Sequence, residues 1–322
     1  MMRPTELPIE IINAIVHRAF PTAQVEKCDL FPGEHRNLNY DLVLSNPPMA
    51  IVLRVYRQED PDACKPQKES HVLRIVTPET GVPAPRLLFF DDSGRLAPQP
   101  VALHTRLPGD SLATTLAQMD EEAQETVGYE LGRYLAKLHS IPLGCFGEFF
   151  EEDPLSDVSE KAYTLRRVQS WLEFCAEREL LTSDALTQVE GVFAETRYLS
   201  RPVACFVHGD LRAGHVLVES GAGAYHVTGL VDFQWSQGWG LEWDVARLAH
   251  EVFDGRPLLE KGFLDGYADT ASLPADFWER LRVYRLAVAL YNLVKAEAEK
   301  VESRQEALLR LLDETLSPFS RN

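Results

Sequence analysis

Hydrophobic and polar residues follow two different periods along the 322-residue chain, and the changes between them mark its organisation. The opening stretch MMRPTELPIEIINAIVHRAF places Ile11, Ile12, Ile15, Val16 and Phe20 near helical spacing, which predicts an amphipathic helix. From about residue 24 to 110 the period shortens. NLNYDLVLS alternates, NPP breaks the pattern and MAIVLRVYR resumes it, which predicts a hairpin. A polar loop leads into one helix from Gln67 to about Thr77, and PRLLFFDD and PVALHTRL read as strands joined by the turn-forming DDSGR. After RLPGDSL the helical period returns. EEAQETVGYELGRYLAKLHSIP carries Val127, Leu131, Leu135 and Leu138 on one stripe and ends at Pro142. LSDVSEKAYTLRRVQSWLEFCAEREL predicts another helix, Ser183 to about Glu195 a third, and FWERLRVYRLAVALYNLVK a very apolar one. Short strands around Asp210 and in AYHVTGLVDF interrupt the helices. The pattern therefore predicts an α+β chain, with mainly antiparallel sheet and one internal helix up to about residue 106, and a larger, mainly helical part over 107–322. A chain of this length has room for two lobes.

Composition narrows the function classes. Hydrophobic residues make up 45% and charged residues 25%, as in an ordinary folded protein. The net charge of −17 argues against sequence-independent binding of nucleic acid, which needs basic surface; it would attract cationic small molecules, or serves solubility alone. Cys28, Cys64, Cys145, Cys175 and Cys205 are scattered, with no CxxC, so neither a zinc site nor a disulfide framework is readable. The N-terminus lacks the apolar core of a signal peptide, and no apolar run approaches the ~18 residues of a membrane span. These features predict a cytoplasmic protein with reduced thiols.

The chemistry concentrates in CFVHGDLRAGHVLV. Here an apolar run stops at His208-Gly209-Asp210, and His215 follows five residues after the aspartate. Asp232 lies 22 residues beyond Asp210 at the end of a second apolar strand, in TGLVDFQW. Either aspartate alone is compatible with a turn or a cap. Two carboxylates at strand exits also suit metal-assisted phosphoryl transfer, in which one orients or deprotonates an acceptor hydroxyl while the other holds Mg²⁺ against nucleotide phosphates.

HGDxxxxH, an apolar-VDF segment and a further aspartate, Asp244, twelve residues after Asp232, together resemble the aminoglycoside phosphotransferase family, distant relatives of protein kinases. LGRYLAKLHSIP resembles the helix before the family's catalytic segment, VALHTRLPGDSL its interlobe hinge, and GEHRNLNYDLVL and AIVLRVYR its nucleotide-binding strands. The resemblance spans about residues 25–300. It implies a bilobal protein-kinase-like fold, with a nucleotide-binding lobe over 1–106 and a helical lobe over 107–322 that carries the catalytic loop and substrate site. It also implies ATP, with GTP as a possible substitute, and Mg²⁺. Asp210 would be the catalytic base, His208 part of the loop's scaffold, and Gly209 the residue that permits its tight backbone. Asp232 would be the principal Mg²⁺ ligand. Asp244 would brace the loop through backbone N–H groups, or serve as a helix N-cap.

Two departures stand out. His215 replaces the family's usual Asn, as in macrolide kinases and some 2''-hydroxyl aminoglycoside kinases. Hard Mg²⁺ prefers oxygen, so His215 would bind it directly, through water or not at all. Arg54 stands where protein kinases carry a phosphate-binding Lys, and its fork suits phosphate oxygens. Glu69 is its expected ion-pair partner; an exposed strand arginine and a solvated helix face are the alternatives. The FPGEHRNLNY loop has one glycine, Gly33, with Asn37 and Asn39 available for polar contacts, or is a plain hairpin turn. At the hinge, His104, Thr105 and Arg106 would meet adenine mainly through backbone groups.

On the acceptor side, residues 121–180 hold 13 acids and 6 bases, densest in FGEFFEEDPLSD. That suits an aminated, aminoglycoside-like acceptor, with macrolides and metabolites such as choline, homoserine or an amino sugar as alternatives. Trp235, Trp239 and Trp243 recur every four residues, a spacing of core packing more often than of a ligand box. A nucleotide-binding pseudokinase is the reading from another class. Neither the oligomeric state nor the acceptor is readable.

Overall fold

The computed structural model of the chain describes residues 6–31, 37–56, 66–149, 159–221, 224–298, 300 and 302–316. In chain order, the N-terminal elements are α1 (Ile9–Ala19), β1 (Gln24–Leu30), β2 (Leu38–Ser45), β3 (Met49–Val55), α2 (Pro66–Thr80), β4 (Leu87–Asp91), β5 (Val101–Thr105) and β6 (Asp110–Ser111). Next come α3 (Leu112–Thr115), α4 (Glu121–His139), β7 (Pro142–Leu143), α5 (Glu160–Glu177), α6 (Ser183–Glu195), β8 (Ala204–Val207), β9 (Val216–Gly221), β10 (Ala224–Leu230) and β11 (Gln237–Trp239). The chain closes with α7 (Glu242–Leu248), one π-helical turn (Ala249–Phe253), α8 (Pro257–Ala268), α9 (Phe277–Ala298) and α10 (Glu302–Leu316). These elements form two compact units. One takes in residues 1–112, 215–223 and 227–235; the other takes in 113–214, 224–226 and 236–322.

The first unit is built on a five-stranded antiparallel sheet in the order β1-β2-β3-β5-β4. Strand alternation gives it two unlike faces. Leu38, Tyr40, Leu42 and Leu44 of β2, Ile51, Leu53 and Val55 of β3, and Val101 and Leu103 of β5 form one buried core with Ile12, Ile15 and Val16 of α1. Each such side chain contributes about 1.5–3 kcal/mol by leaving water. Residues of the opposite parity turn the other way. Asn39 pairs with Arg54, Asp41 with Val52 and Val52 with His104, so this second face is polar. The expected hairpin is β2–β3, and the expected helix is α2. β1 is the addition; Gln24–Leu30 is mostly exposed and carries no clean alternation.

A second sheet in this unit, β10-β9-β6, contains the chain after His215. Gly109, in LPGDSL, has φ +94°, and a Cβ there would lie 2.4 Å from the Val218 carbonyl oxygen, so only glycine lets the segment join β9.

The second unit is mainly helical. α4 and α8 meet through two glycine pairs: Gly128 and Gly132 abut the backbone of Leu259 and Phe263, and Gly262 and Gly266 abut that of Glu125 and Tyr129. Trp239 and Trp243 stack at 4.3 Å in the core and are essentially buried, so the four-residue spacing is a packing signal there. Beside them a buried ion cluster links α5, α7 and α9. Arg280 Nε donates to Glu242 Oε1 at 2.7 Å, a second Arg280 nitrogen donates to Glu160, and the Tyr284 hydroxyl donates to Glu160 Oε1 at 2.7 Å. Ion pairs this deep tolerate no loss of one partner, because the other charge is then left unsolvated.

Cys28, Cys145, Cys175 and Cys205 are free thiols, and burial pushes Cys175 and Cys205 up to about 12; Cys64 lies outside the described residues. No helix among the described residues is long and apolar enough to cross a membrane.

Candidate functional site

On the polar face of the first unit, Arg54 is the hub. It is 8% exposed, and its position in β3 aims it away from the aliphatic core. Nη1 donates to Glu69 Oε1 of α2 at 3.1 Å, and the Tyr56 hydroxyl donates to the other Glu69 oxygen at 2.6 Å. Burial holds the Glu69 carboxyl above its usual range, and the Arg54 guanidinium offsets only part of that. The Arg54–Glu69 pair suggested by the sequence is therefore formed. Nη2 donates to Asp232 Oδ1 at 2.9 Å and to Gln234 Oε1 at 3.1 Å, contacts spanning 178 and 180 residues of sequence.

Asp232 follows β10 and has φ +69°, in the left-handed region, where Asp and Asn are among the few non-glycine residues tolerated. Its Oδ2 lies 3.4 Å from His215 Nε2. A carboxylate and an imidazole nitrogen thus face one point. For a hard divalent cation the oxygen is the fitting donor and the imidazole the weaker one, so Asp232 is the residue of the pair that could hold Mg²⁺. Gln234 escaped the sequence reading. It accepts from Asn37 Nδ2 at 3.2 Å as well as from Arg54, and so ties the segment before β2 to the aspartate. Its signal was its place two residues after Asp232. Asn39 sits opposite Arg54 in the ladder, and Gly33 lies outside the described residues.

The hinge residues are partly engaged within the sheet. The Thr105 amide donates to the Arg86 carbonyl at 2.9 Å and the Arg106 amide to the Ala50 carbonyl at 3.4 Å, while Arg106 forms an ion pair with Asp41. His104 is buried, and its Nε2 has no hydrogen-bond partner among the described residues. Burial, reinforced by Arg54, lowers its pKa to about 3. An unfolded histidine binds its proton near pH 6.5, so the unfolded chain holds more protons between these values, and stability falls as pH drops from 6.5 toward 3. The loss should reach about 2 kcal/mol by pH 5. His104→Leu should flatten that part of a denaturant-derived stability–pH curve; an unaltered slope would show that His104 protonates freely in the fold.

In the second unit, Asp210 does not sit in a hairpin turn. β8, which ends at Val207, pairs with β7 and β11, whereas β9 pairs with β6 and β10. The loop is instead braced from α7. The amides of His208 and Gly209 donate to the two oxygens of Asp244 at 2.7 and 3.0 Å, and Trp243 Nε1 donates to the Gly209 carbonyl at 2.9 Å. Gly209 has φ +86°, a conformation that favours glycine. Asp244 is the third residue of α7 and not its N-cap. His139, at the end of α4, bridges Asp244 Oδ2 at 3.2 Å and the Tyr267 hydroxyl at 3.0 Å. Asp210, 4% exposed, accepts from Arg247 Nη2 at 2.5 Å, with Arg212 Nε at 3.7 Å and Lys295 Nζ at 3.8 Å. The sequence reading missed these cations, although Arg247 lies one helical turn after Asp244. Much of the acidic FGEFFEEDPLSD patch lies outside the described residues.

Comparison with known proteins bears on the fold and the family. A fructosamine-3-kinase-like protein of Thermobifida fusca YX-ER1 has the same fold, at 20% identity and a TM-score of 0.64, over 92% of this chain and 99% of that one. A thermostable mutant of aminoglycoside phosphotransferase APH(4)-Ia, solved as a ternary complex with ADP and hygromycin B, superposes with a TM-score of 0.69 at 13% identity, over 97% and 99% of the two chains. Aminoglycoside 2'-phosphotransferase-IIIa, solved with GDP, gives 0.68 at 14% identity over 95% and 98%. No curated protein sequence matches significantly. The model of the phosphotransferase enzyme family matches residues 27–284, most of the chain and both of its carboxylate-bearing segments. The chain is thus a member of that phosphotransferase family, with the kinase-like fold of its solved relatives.

Proposed function

We propose that the protein transfers the γ-phosphoryl group of ATP to a hydroxyl of a small, aminated acceptor, with Mg²⁺, in the cytoplasm. The observation that carries this reading is the Arg54 hub. Glu69 holds a permanently charged fork beside Asp232, so a phosphate binder and a carboxylate suited to Mg²⁺ share one polar face. Arg54 would pair with phosphate oxygens, and Asp232 would hold the ion, with His215 beside it directly or through water. When bound, Mg²⁺ would supply charge neutralisation at the phosphates.

Asp210 would orient the acceptor hydroxyl and take its proton, and His208 and Gly209 would keep the loop rigid through Asp244. Asn39 and the backbone around His104, Thr105 and Arg106 would contribute to nucleotide binding. The assignment of nucleotide to residues 1–106 and of acceptor to 107–322 belongs to this proposal. The relative solved with ADP and hygromycin B supports pairing a nucleotide with a small acceptor. The acidic composition of residues 121–180 supports an aminated one.

The test is ADP release from MgATP, and GDP release from MgGTP, with pooled aminoglycosides, macrolides, choline, homoserine and amino sugars. Acceptor-dependent ADP release is expected, greatest in the aminated fractions. Tight MgATP binding without release in any pool would favour a nucleotide-binding module, with His215→Asn as the next variant.

A further inference from the structure

We propose that Arg247 is a positioning residue for Asp210, which rests on the reading of Asp210 as the base. Arg247 is 1% exposed, and a guanidinium that deep is costly unless a specific charge and hydrogen bonds meet it. Nη2 donates to Asp210 Oδ1 at 2.5 Å, and Nη1 donates to Asn292 Oδ1 of α9 at 2.7 Å. A second carboxylate, Glu251, is 3.8 Å away. Tyr291 lies under the guanidinium, 5.5 Å from ring centroid to Cζ.

Arg247 Nε and Asn292 Nδ2 are buried without hydrogen-bond partners among the described residues, so this contact is kept despite imperfect satisfaction. A brace for the fold alone would have no need to end on the loop's carboxylate. Trp243, Asp244 and Arg247 recur at a spacing that shares one face of α7, and they hold three consecutive loop residues: the His208 and Gly209 amides, the Gly209 carbonyl and the Asp210 side chain. With Oδ1 tied by a planar fork that Asn292 fixes in turn, the Asp210 carboxylate is held in one orientation.

The experiment is a double-mutant cycle on ADP formation from MgATP with the pooled acceptors. It uses Arg247→Met, Asp210→Asn and the pair, together with the KM for MgATP. Arg247→Met should lower kcat about 10²-fold, the scale of a small misplacement of a reacting group, with KM for MgATP unchanged. In the Asp210→Asn background the same change should cost less than about twofold, because a residue acting through Asp210 has nothing left to position. Arg247→Lys keeps the buried charge and so guards against simple misfolding. Its ammonium cannot reproduce the fork, and kcat should fall about tenfold. Equal losses from Arg247→Met in both backgrounds, a proportionate rise in KM for MgATP, or full activity of Arg247→Lys would overturn the proposal. Failure of the base reading would appear separately, as normal turnover of Asp210→Asn alone.

Discussion

Asp210→Asn should lower kcat by ~10²-fold or more while leaving the MgATP dissociation constant nearly unchanged. General-base and orienting groups contribute on that scale. Arg54, Glu69 and Asp232 are the groups proposed to meet the nucleotide and its ion, whereas Asp210 is proposed to meet the acceptor. The amide is nearly isosteric and can still accept from Arg247, so the loop should keep its shape. The charge, however, is lost beside three cationic groups, Arg247, Arg212 and Lys295. Removing one partner of a buried pair costs about 3–5 kcal/mol, so a lower melting temperature should accompany the loss of rate. Turnover kinetics with parallel MgATP binding by calorimetry separate the two effects. Near-normal kcat in a folded variant would sink the assignment.

For Asp232 the expected loss is in binding. Asp232→Asn should weaken MgATP binding by at least about tenfold and abolish most of the difference between affinities measured with Mg²⁺ and with EDTA, since the hard cation loses its anionic oxygen ligand. Asn is the informative substitution because Asp232 has φ +69°; alanine there would add backbone strain to the lost charge. The variant also removes one of the carboxylates that accept from Arg54, which leaves Glu69 to hold the guanidinium. An unchanged Mg²⁺ dependence would count against Asp232 as the ligand.

Much of this arrangement was legible before any coordinates. The sheet hairpin, α2, α4, α6 and α9 follow from local period, because burial on one face forces period two in strands and near 3.6 in helices. The segments ending at Asp210 and Asp232 were legible for the same reason: each carboxylate interrupts an apolar run that is then buried. β1 was harder to see because its exposed face carries no pattern. The α4–α8 contact had a readable signal that went unused, the matched GYELG and GFLDG spacings, whose glycines let two backbones touch. Trp239 and Trp243 answered to packing rather than to a ligand.

The sequence by itself determined the fold class and the family, and it singled out the acidic residues proposed to carry the chemistry, since these depend on residue type and on spacings within one element or one loop. Only the tertiary structure decided which side chains meet. The segments His215–Gly223 and Val227–Trp235 belong to the same compact unit as the N-terminal sheet, and Arg54 reaches Asp232 and Gln234 across 178 and 180 residues. In the other unit, Arg247 on α7 reaches Asp210 across 37. Such contacts arise because a buried guanidinium must find a carboxylate wherever the backbone brings one, and a local pattern holds no record of that distance.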